Sequence, residues 1–502
     1  MIPVPSLSDF NLQYTLPALS ITVWAAILLV IDLFIPRERK QTTAWLAAGG
    51  VVFAFVANAF LFNVNEEAFL GMFRADQFTA YVNAVILGTA FIGILMSVDY
   101  LKRTQIERGE YYVLMLFSAA GMMFMAAAND LIAVFVALEL LSIPLYVLSA
   151  FRAPDTKSEE SGLKYFILGA FASAFLVYGA ALIYGATGTT NIPAIFAAIG
   201  EVAIGGSASI LLLIGAGLML VGLGFKVAAV PFHMWTPDVY EGAPTPITAF
   251  MSVGAKAGGF AALFRVLASA LPTFVFTDGS IHAVWQASVW ILAAATLILG
   301  NLVAIAQSNI KRMLAYSSIA HAGYILMAVA AAGTAGIGDA AARAALFYLM
   351  AYMFTNLGAF AIAMSIEKDD GSGTNISDFT GLSKSRPGLA AMMAFFMLSL
   401  TGFPPTAGFV AKFLVFQETL NAGLVPLAII GVITSVISGY YYLNIVVKMF
   451  LGDGEGDPAA GATPYLRWAA YACFAGTLIL FVLPFLGTDL ANSINLAVAL
   501  AP

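Results

Sequence analysis

The sequence predicts an all-α fold: a polytopic membrane bundle of about fourteen transmembrane helices, forming a single membrane domain over residues 1–502. Three observations predict it. The composition is 61% hydrophobic and 10% charged, whereas a soluble chain is about half apolar and a quarter charged. The apolar residues gather into runs long enough to cross a bilayer. Lys and Arg concentrate in alternate connections between those runs, as the positive-inside rule requires.

At the N-terminus, MIPVPSLSDFNLQYTLPALS carries no basic stretch. The apolar run after it, to Phe34, is too long for a signal-peptide core, so a retained first helix is expected. In order, the apolar segments are Leu16–Phe34, Ala44–Phe62, Phe78–Val98, Tyr111–Ala128, Leu131–Ala150, Tyr165–Tyr184 and Ile210–Phe232. They continue as Ile247–Leu271, Ala283–Ala306, Met313–Ala332, Ala344–Ile366, Leu389–Gln417, Leu424–Met449 and Tyr465–Leu486. Runs of this length suit helices, which satisfy every backbone group internally when no water is at hand.

Basic residues follow the odd-numbered segments: Arg37, Arg39 and Lys40; Lys102, Arg103 and Arg108; Arg152 and Lys157; Lys311 and Arg312; Lys368, Lys384 and Arg386. The other side holds little beyond Arg74 and Arg343. The odd connections are therefore expected in the cytoplasm and both termini outside. Arg265 and Arg343 read as anchors at the outer interface and Lys448 as one at the inner. The longest polar connection, Glu367 to Pro387, reads as a solvated linker or a surface that touches a partner.

Two segments look interrupted. The seventh carries Lys226, then Pro231, and leads into Pro237, Pro244 and Pro246. The twelfth holds Thr401-Gly402-Phe403-Pro404-Pro405 before Lys412. Proline frees a carbonyl and bends the axis. A shift of five helices reverses direction across the membrane. Two broken, lysine-bearing helices in corresponding places thus point to the core of a transporter built from inverted halves.

Several chemistries are excluded. The one cysteine, Cys473, lies in an apolar run, which leaves no disulfide, thiolate metal site or iron–sulfur cluster within the chain. His233, His282 and His321 do not match in depth, which argues against a haem pair. Met115, Met122, Met123 and Met125 read as packing. No basic block resembles a nucleic-acid footprint.

What remains is a set of ionisable residues inside apolar runs, each costing roughly 2.5–3.5 kcal/mol to insert. Glu139 lies near the middle of the fifth segment, as a structural carboxylate or as a titrating partner for Lys226. At a separation of about 8 Å and an effective dielectric of about 20, the two would interact by about 2 kcal/mol. Lys256 and Lys412 are far from the ends of their helices, so snorkelling explains them poorly. Lys164 opens the sixth segment and can reach the interface or face inward. His321 stands among Tyr316, Ser317, Ser318 and Tyr324, as a hydrogen-bonded core residue or a proton relay. An ammonium ligates no Na⁺ but takes and gives a proton, so a series of such sites favours protons as cargo.

The stretches FKVAAVPFHMWTPDVYEGAPTPITAF, VGAKAGGF, NLVAIAQSNIKRMLAYSSIAHAGY and LTGFPPTAGFVAKF resemble the antiporter-like subunits of respiratory complex I, the NADH–quinone oxidoreductase. The resemblance covers nearly the whole chain. It implies two inverted five-helix repeats, helices four to eight and nine to thirteen, in a core of about 111–450 flanked by helices one to three and fourteen. It implies a bacterial inner-membrane location with periplasmic termini, and other membrane-arm subunits as partners. NADH, FMN, iron–sulfur clusters and quinone are implied to belong to those partners, with no cofactor in this chain. Glu139, Lys226, Lys256 and Lys412 match the family's proton-transfer positions, and Lys164 and His321 match positions along the same polar axis. Lys412 stands where one family member usually carries glutamate, and the chain ends without the long lateral helix of another. The alternative is a subunit of a related cation/proton antiporter.

Overall fold

Twelve helices among the described residues are long and apolar enough to cross a membrane. The computed structural model describes residues 6–199, 207–271, 273–275, 281–283, 285–454, 463–491 and 494. The extreme termini and the His282 side chain, on which expectations were placed, lie outside the described residues. The helices are α1 (Leu16–Asp32), α2 (Gln41–Ala59), α3 (Gln77–Arg103), α4 (Glu110–Ala127), α5 (Leu131–Ser149), α6 (Thr156–Thr187), α7 (Ile192–Ile199), α8 (Ser207–Lys226), α9 (Trp235–Gly242) and α10 (Thr245–Phe264). They continue with α11 (Gln286–Ile305), α12 (Ile310–Ala332), α13 (Gly338–Ile366), α14 (Leu382–Ser385), α15 (Pro387–Thr401), α16 (Ala407–Asn421), α17 (Val425–Leu451), α18 (Pro464–Val482) and α19 (Phe485–Thr488).

The expected count of about fourteen differs from twelve because two segments are cut into short pieces. Apolar helices spanning Ile210–Lys226 and Pro387–Thr401 occupy the seventh and twelfth places. Two antiparallel hairpins also stand where no strands were expected, Glu66–Ala68 with Phe73–Ala75 and Thr273–Val275 with Ile281–Ala283.

The centre of the bundle is α10, α12 and α13, buried along nearly their whole apolar lengths, whereas α1, α2, α17 and α18 present much of theirs outward. Small residues let α10 in: a Cβ on its Gly258 would stand 3.3 Å from the Met122 backbone of α4. That is the close helix approach that membrane interfaces draw from glycine and alanine.

Both breaks re-satisfy the backbone they interrupt. After α8, Ala228 turns to φ +61° and the Val230 N–H donates to Thr296 Oγ1 at 2.9 Å. Trp235 of α9 donates its indole N–H to the Phe225 carbonyl at 3.0 Å, capping the end of α8. After α15, Gly402 takes φ +84°, and the Gly408 N–H at the start of α16 donates to Ser399 Oγ at 3.2 Å. Pro231 and the Pro404–Pro405 pair, which have no N–H to give, sit inside these breaks.

Two expectations are corrected. Arg265 is not an interface anchor: it is 2% exposed. It donates to Asp76 Oδ1 at 2.7 Å, Thr79 Oγ1 at 2.7 Å and the Ala126 carbonyl at 2.9 Å. A side chain with all those donors met inside the bundle has no reason to reach for water. Nor is the connection after α13 a free linker. The Ile310 N–H donates to the Thr374 carbonyl and the Ile376 N–H to the Ser308 carbonyl, each at 2.7 Å, and Phe379 is fully buried.

Candidate functional site

Lys226, Lys256, Lys412 and His321 are 3%, 3%, 4% and 5% exposed, so none snorkels to a surface. Each is held by hydroxyls or backbone carbonyls, and none of them has a carboxylate partner within ion-pair distance among the described residues. That is the arrangement in which an ionisable group can change its charge without breaking an ion pair.

Lys226 ends α8 and donates to Ser142 Oγ at 2.8 Å and to the Tyr165 hydroxyl at 3.3 Å. Ser142 lies one turn along α5 from Glu139, on the same face. Glu139 itself accepts a very short hydrogen bond from Ser173 of α6 and is half-buried. The two charges are therefore not in contact: the Ser142 hydroxyl that receives Lys226 donates to the Leu138 carbonyl, while Glu139 is held by Ser173. Tyr165 is fixed in turn by stacking on Trp235 of α9, with ring centroids 4.4 Å apart.

Lys256 of α10 donates to both the carbonyl and the hydroxyl of Ser318 on α12, the latter at 2.5 Å. The hydroxyls of Tyr240 on α9 and Tyr352 on α13 come close to Ser318 but are buried without a hydrogen-bond partner. Along α10, Thr245, Thr248, Ser252 and Lys256 share one buried face, at spacings of three, four and four.

One turn further along α12, His321 is clamped. Its Nδ1 lies 2.6 Å from the Tyr348 hydroxyl and its Nε2 lies 3.2 Å from the Tyr442 hydroxyl of α17. Tyr442 also sits 2.5 Å from Ser317 Oγ. The His321 and Tyr352 rings are 4.8 Å apart. Tyr348 and Tyr324 stack at 6.2 Å, and the Lys412 ammonium lies 4.5 Å from the Tyr324 ring centroid. Lys412, on α16 just past the second break, donates to the Thr401 carbonyl at 2.8 Å and to Ser435 Oγ at 2.9 Å. Lys256, His321 and Lys412 are thus joined through Ser318, Ser317 and a tyrosine cluster.

Lys164 does not join that series. Its side chain is 40% exposed and pairs with Glu160 and Asp238 at 2.6 Å each, and Arg312 shares Asp238. It sits at the rim because its helix starts at Thr156, less than three turns before it.

Two buried charges close to the hydroxyl face of α10 were missed in the sequence. Glu367 follows α13 and is 3% exposed. It accepts from Tyr100 at 2.9 Å and from Thr245 at 2.6 Å, with Arg152 3.8 Å away. Lys311, also buried, donates to the Ala243 carbonyl at 2.7 Å. Both line a polar cavity of about 330 Å³, and Glu367, as the acceptor of the Thr245 hydroxyl, ties it to the hydroxyl face of α10. Both residues stand beside connections, where a charge reads as solvated.

Among the described residues no group of three or more His, Cys, Asp or Glu could hold a metal ion.

Residues 128–438 match the family described as "NADH:quinone oxidoreductase/Mrp antiporter, TM". The chain is 46% identical over 475 residues to NADH-quinone oxidoreductase subunit N 2 of Roseiflexus castenholzii, covering 94% of each. It is 45% identical over 478 residues to subunit N of Trichlorobacter lovleyi, covering 94% of this chain and 95% of that one. Among solved structures, a chain of respiratory complex I from Thermus thermophilus with bound Aureothin superposes with a TM-score of 0.78 at 34% identity, covering 94% of this chain and 98% of that chain. A chain of the Mrp complex from Dietzia sp. shares the fold, with a TM-score of 0.82 at 23% identity and 97% coverage of both. The chain belongs to the NADH:quinone oxidoreductase/Mrp antiporter transmembrane family, as a close homologue of NADH-quinone oxidoreductase subunit N.

Proposed function

We propose that the chain is a proton-translocating membrane-arm subunit of a bacterial NADH–quinone oxidoreductase. The enzyme's redox chemistry, with its NADH, FMN, iron–sulfur clusters and quinone, belongs to partner subunits. This chain contributes proton transfer. The observation that carries the reading is the buried line Lys256–Ser318–His321–Tyr324–Lys412, with Lys226 and Glu139 ahead of it. The level of identity to subunit N, twice that to the Mrp chain, favours this role over a free-standing cation/proton antiporter.

The chemistry follows from the contacts. A proton on Lys226 is favoured while Glu139 is negative and near. When that charge is moved or neutralised, the ammonium has only hydroxyl partners and is driven to release its proton toward Lys256. Lys256 passes its proton through Ser318 and water among Tyr240 and Tyr352 to the His321 cluster. Tyr348 and Tyr442 fix the ring of His321 and offer it hydroxyls on both nitrogens. Lys412 is the far terminus. Lys164 acts at the rim, as part of the charged mouth formed with Asp238 and Arg312.

In the same reading the chain is one membrane domain. Its core of about 111–450 consists of two inverted five-helix repeats, segments four to eight and nine to thirteen, and the broken α8–α9 and α15–α16 stand in corresponding places. The basic connections face the cytoplasm and both termini the periplasm of the inner membrane, beside other membrane-arm subunits.

The test is Lys256→Met in the assembled complex, with proton pumping and coupled turnover measured in proteoliposomes. Both are expected to fall by an order of magnitude or more while assembly survives. Unchanged pumping with intact assembly rejects the role given to Lys256.

A further inference from the structure

Glu367 and Lys311, which the proton series above does not use, line the same polar cavity of about 330 Å³. Asp370 and Ser372 in its walls are exposed, so the cavity reaches the surface beside the connection after α13. The two oxygens of Glu367 serve different partners. Oε1 accepts from the Tyr100 hydroxyl at 2.9 Å and lies 3.8 Å from Arg152 Nη1. Oε2 accepts from the Thr245 hydroxyl at 2.6 Å. Thr245 begins α10 and opens the buried face that continues through Thr248 and Ser252 to Lys256. At helical rise, that face spans roughly 16 Å.

Hydroxyls one turn apart on a helix are too distant to pass a proton directly. Thr248 and Ser252 also spend their hydrogens on backbone, donating to the carbonyls of Tyr240 and Ala249. The same face is bordered by polar atoms that lack a partner. Asn356 of α13 donates from Nδ2 to Ser252 Oγ at 2.6 Å, while its Oδ1 is buried and unmet. The buried hydroxyls of Tyr240 and Tyr352, close to Ser318, are unmet as well. Buried polar atoms are met by protein or by water in the great majority of cases, so three exceptions beside one lysine call for an explanation.

We propose that Glu367 is the carboxylate through which protons enter this chain from the cavity, and that water bridging Thr245, Thr248 and Ser252 carries them to Lys256. The inference rests on the proton-transfer reading given above, in whose orientation the cavity faces the cytoplasm. Glu367 takes a proton from cavity water on one oxygen, gives it up toward Thr245 from the other, and returns to the carboxylate. Arg152 and Lys311, the latter fixed on the Ala243 carbonyl at 2.7 Å, keep positive charge at the same wall. Water along the α10 face finds its further partners in Tyr240, Tyr352 and Asn356, which bridges the gaps between the hydroxyls. The route supplies Lys256 from the surface, in addition to the lateral transfer from Lys226.

The test uses the whole complex in inverted membrane vesicles, with the cytoplasmic side facing the medium. Ser372→Cys puts a thiol on an exposed wall residue, while the chain's own Cys473 is buried. Before modification the variant is expected to pump as the wild type does. After reaction with a trimethylammonium-ethyl thiosulfonate, followed by mass, it is expected to pump about tenfold more slowly, with the treated wild type unchanged. Glu367→Gln should show the same loss without reagent, and Glu367→Asp, which restores an ionisable group, should recover part of it. Wild-type pumping by fully modified Ser372→Cys or by Glu367→Gln overturns the proposal, and the thiol variant decides alone if Glu367→Gln fails to assemble. Lys256→Met is run alongside. If it loses pumping while the other variants keep theirs, the entry route alone is rejected; if all keep wild-type pumping, the underlying reading falls with it.

Discussion

Gly402 lies directly against Lys412: a Cβ placed on the glycine would come within 2.7 Å of the lysine Cδ. The glycine also holds φ +84°, in the left-handed region. One residue thus ends α15, makes room for the lysine stem, and leaves the Thr401 carbonyl open to its ammonium. Gly402→Ala carries a backbone cost of about 1–2 kcal/mol and a steric conflict with Lys412 as well. The variant is expected to lose most coupled turnover without losing NADH oxidation by an artificial acceptor. Measured side by side, Gly402→Ala should resemble Lys412→Met more than the wild type. A Gly402→Ala complex with wild-type pumping would show that the position of Lys412 is not critical.

Tyr442 has two duties, one to Ser317 and one to His321 Nε2. Tyr442→Phe preserves the ring and its contact with Tyr441, whose own hydroxyl stays on Asn301 at 3.0 Å. Only one oxygen is lost. Leaving buried partners unmet costs about 1–3 kcal/mol. Slower proton transfer, by about tenfold, is therefore expected with near-normal assembly. Pumping rate in proteoliposomes, normalised to assembled complex on a native gel, is the measurement. Ser318→Ala should act in the same way on Lys256, which would keep only the Ser318 carbonyl.

What the sequence made legible were charges in the wrong surroundings. Lys226, Lys256 and Lys412 interrupt apolar runs, and prolines mark both breaks. Composition and local order carry that information. The tyrosines that join the lysines were not legible, because a tyrosine in an apolar helix is ordinary until its neighbour is known. Tyr348 reaches His321 from the next helix, 27 residues on, and Tyr442 from 121 residues away. Glu367 and Lys311 were hidden for a different reason. Each stands beside a connection, and each meets its partners from distant parts of the chain, Tyr100 and Thr245 for Glu367 and the Ala243 carbonyl for Lys311. Arg265 was misread because its partner, Asp76, is 189 residues away.

That distant pair makes the last prediction. Arg265 and Asp76 join the start of α3 to the end of α10, with Thr79 and the Ala126 carbonyl completing the donor set. Removing one member of a buried pair leaves the other uncompensated, at a cost of about 3–5 kcal/mol. Arg265→Met and Asp76→Asn are each expected to reduce the amount of assembled complex in membranes, Arg265→Met more severely, because it strands a carboxylate. The double variant should recover part of the loss. Acid should weaken the same contact. Burial works to raise the Asp76 carboxyl, but the Arg265 charge and hydrogen bonds, with the Thr79 N–H and Arg74, outweigh it and hold the group below its usual range. A depressed carboxyl contributes its stability in full above the ordinary carboxylate range and loses it as pH falls through the lowered value. Thermal unfolding of the wild-type complex should therefore shift downward on acidification through that window, and the shift should be smaller in the Asp76→Asn variant. An equal shift in both would remove Asp76 from the acid response.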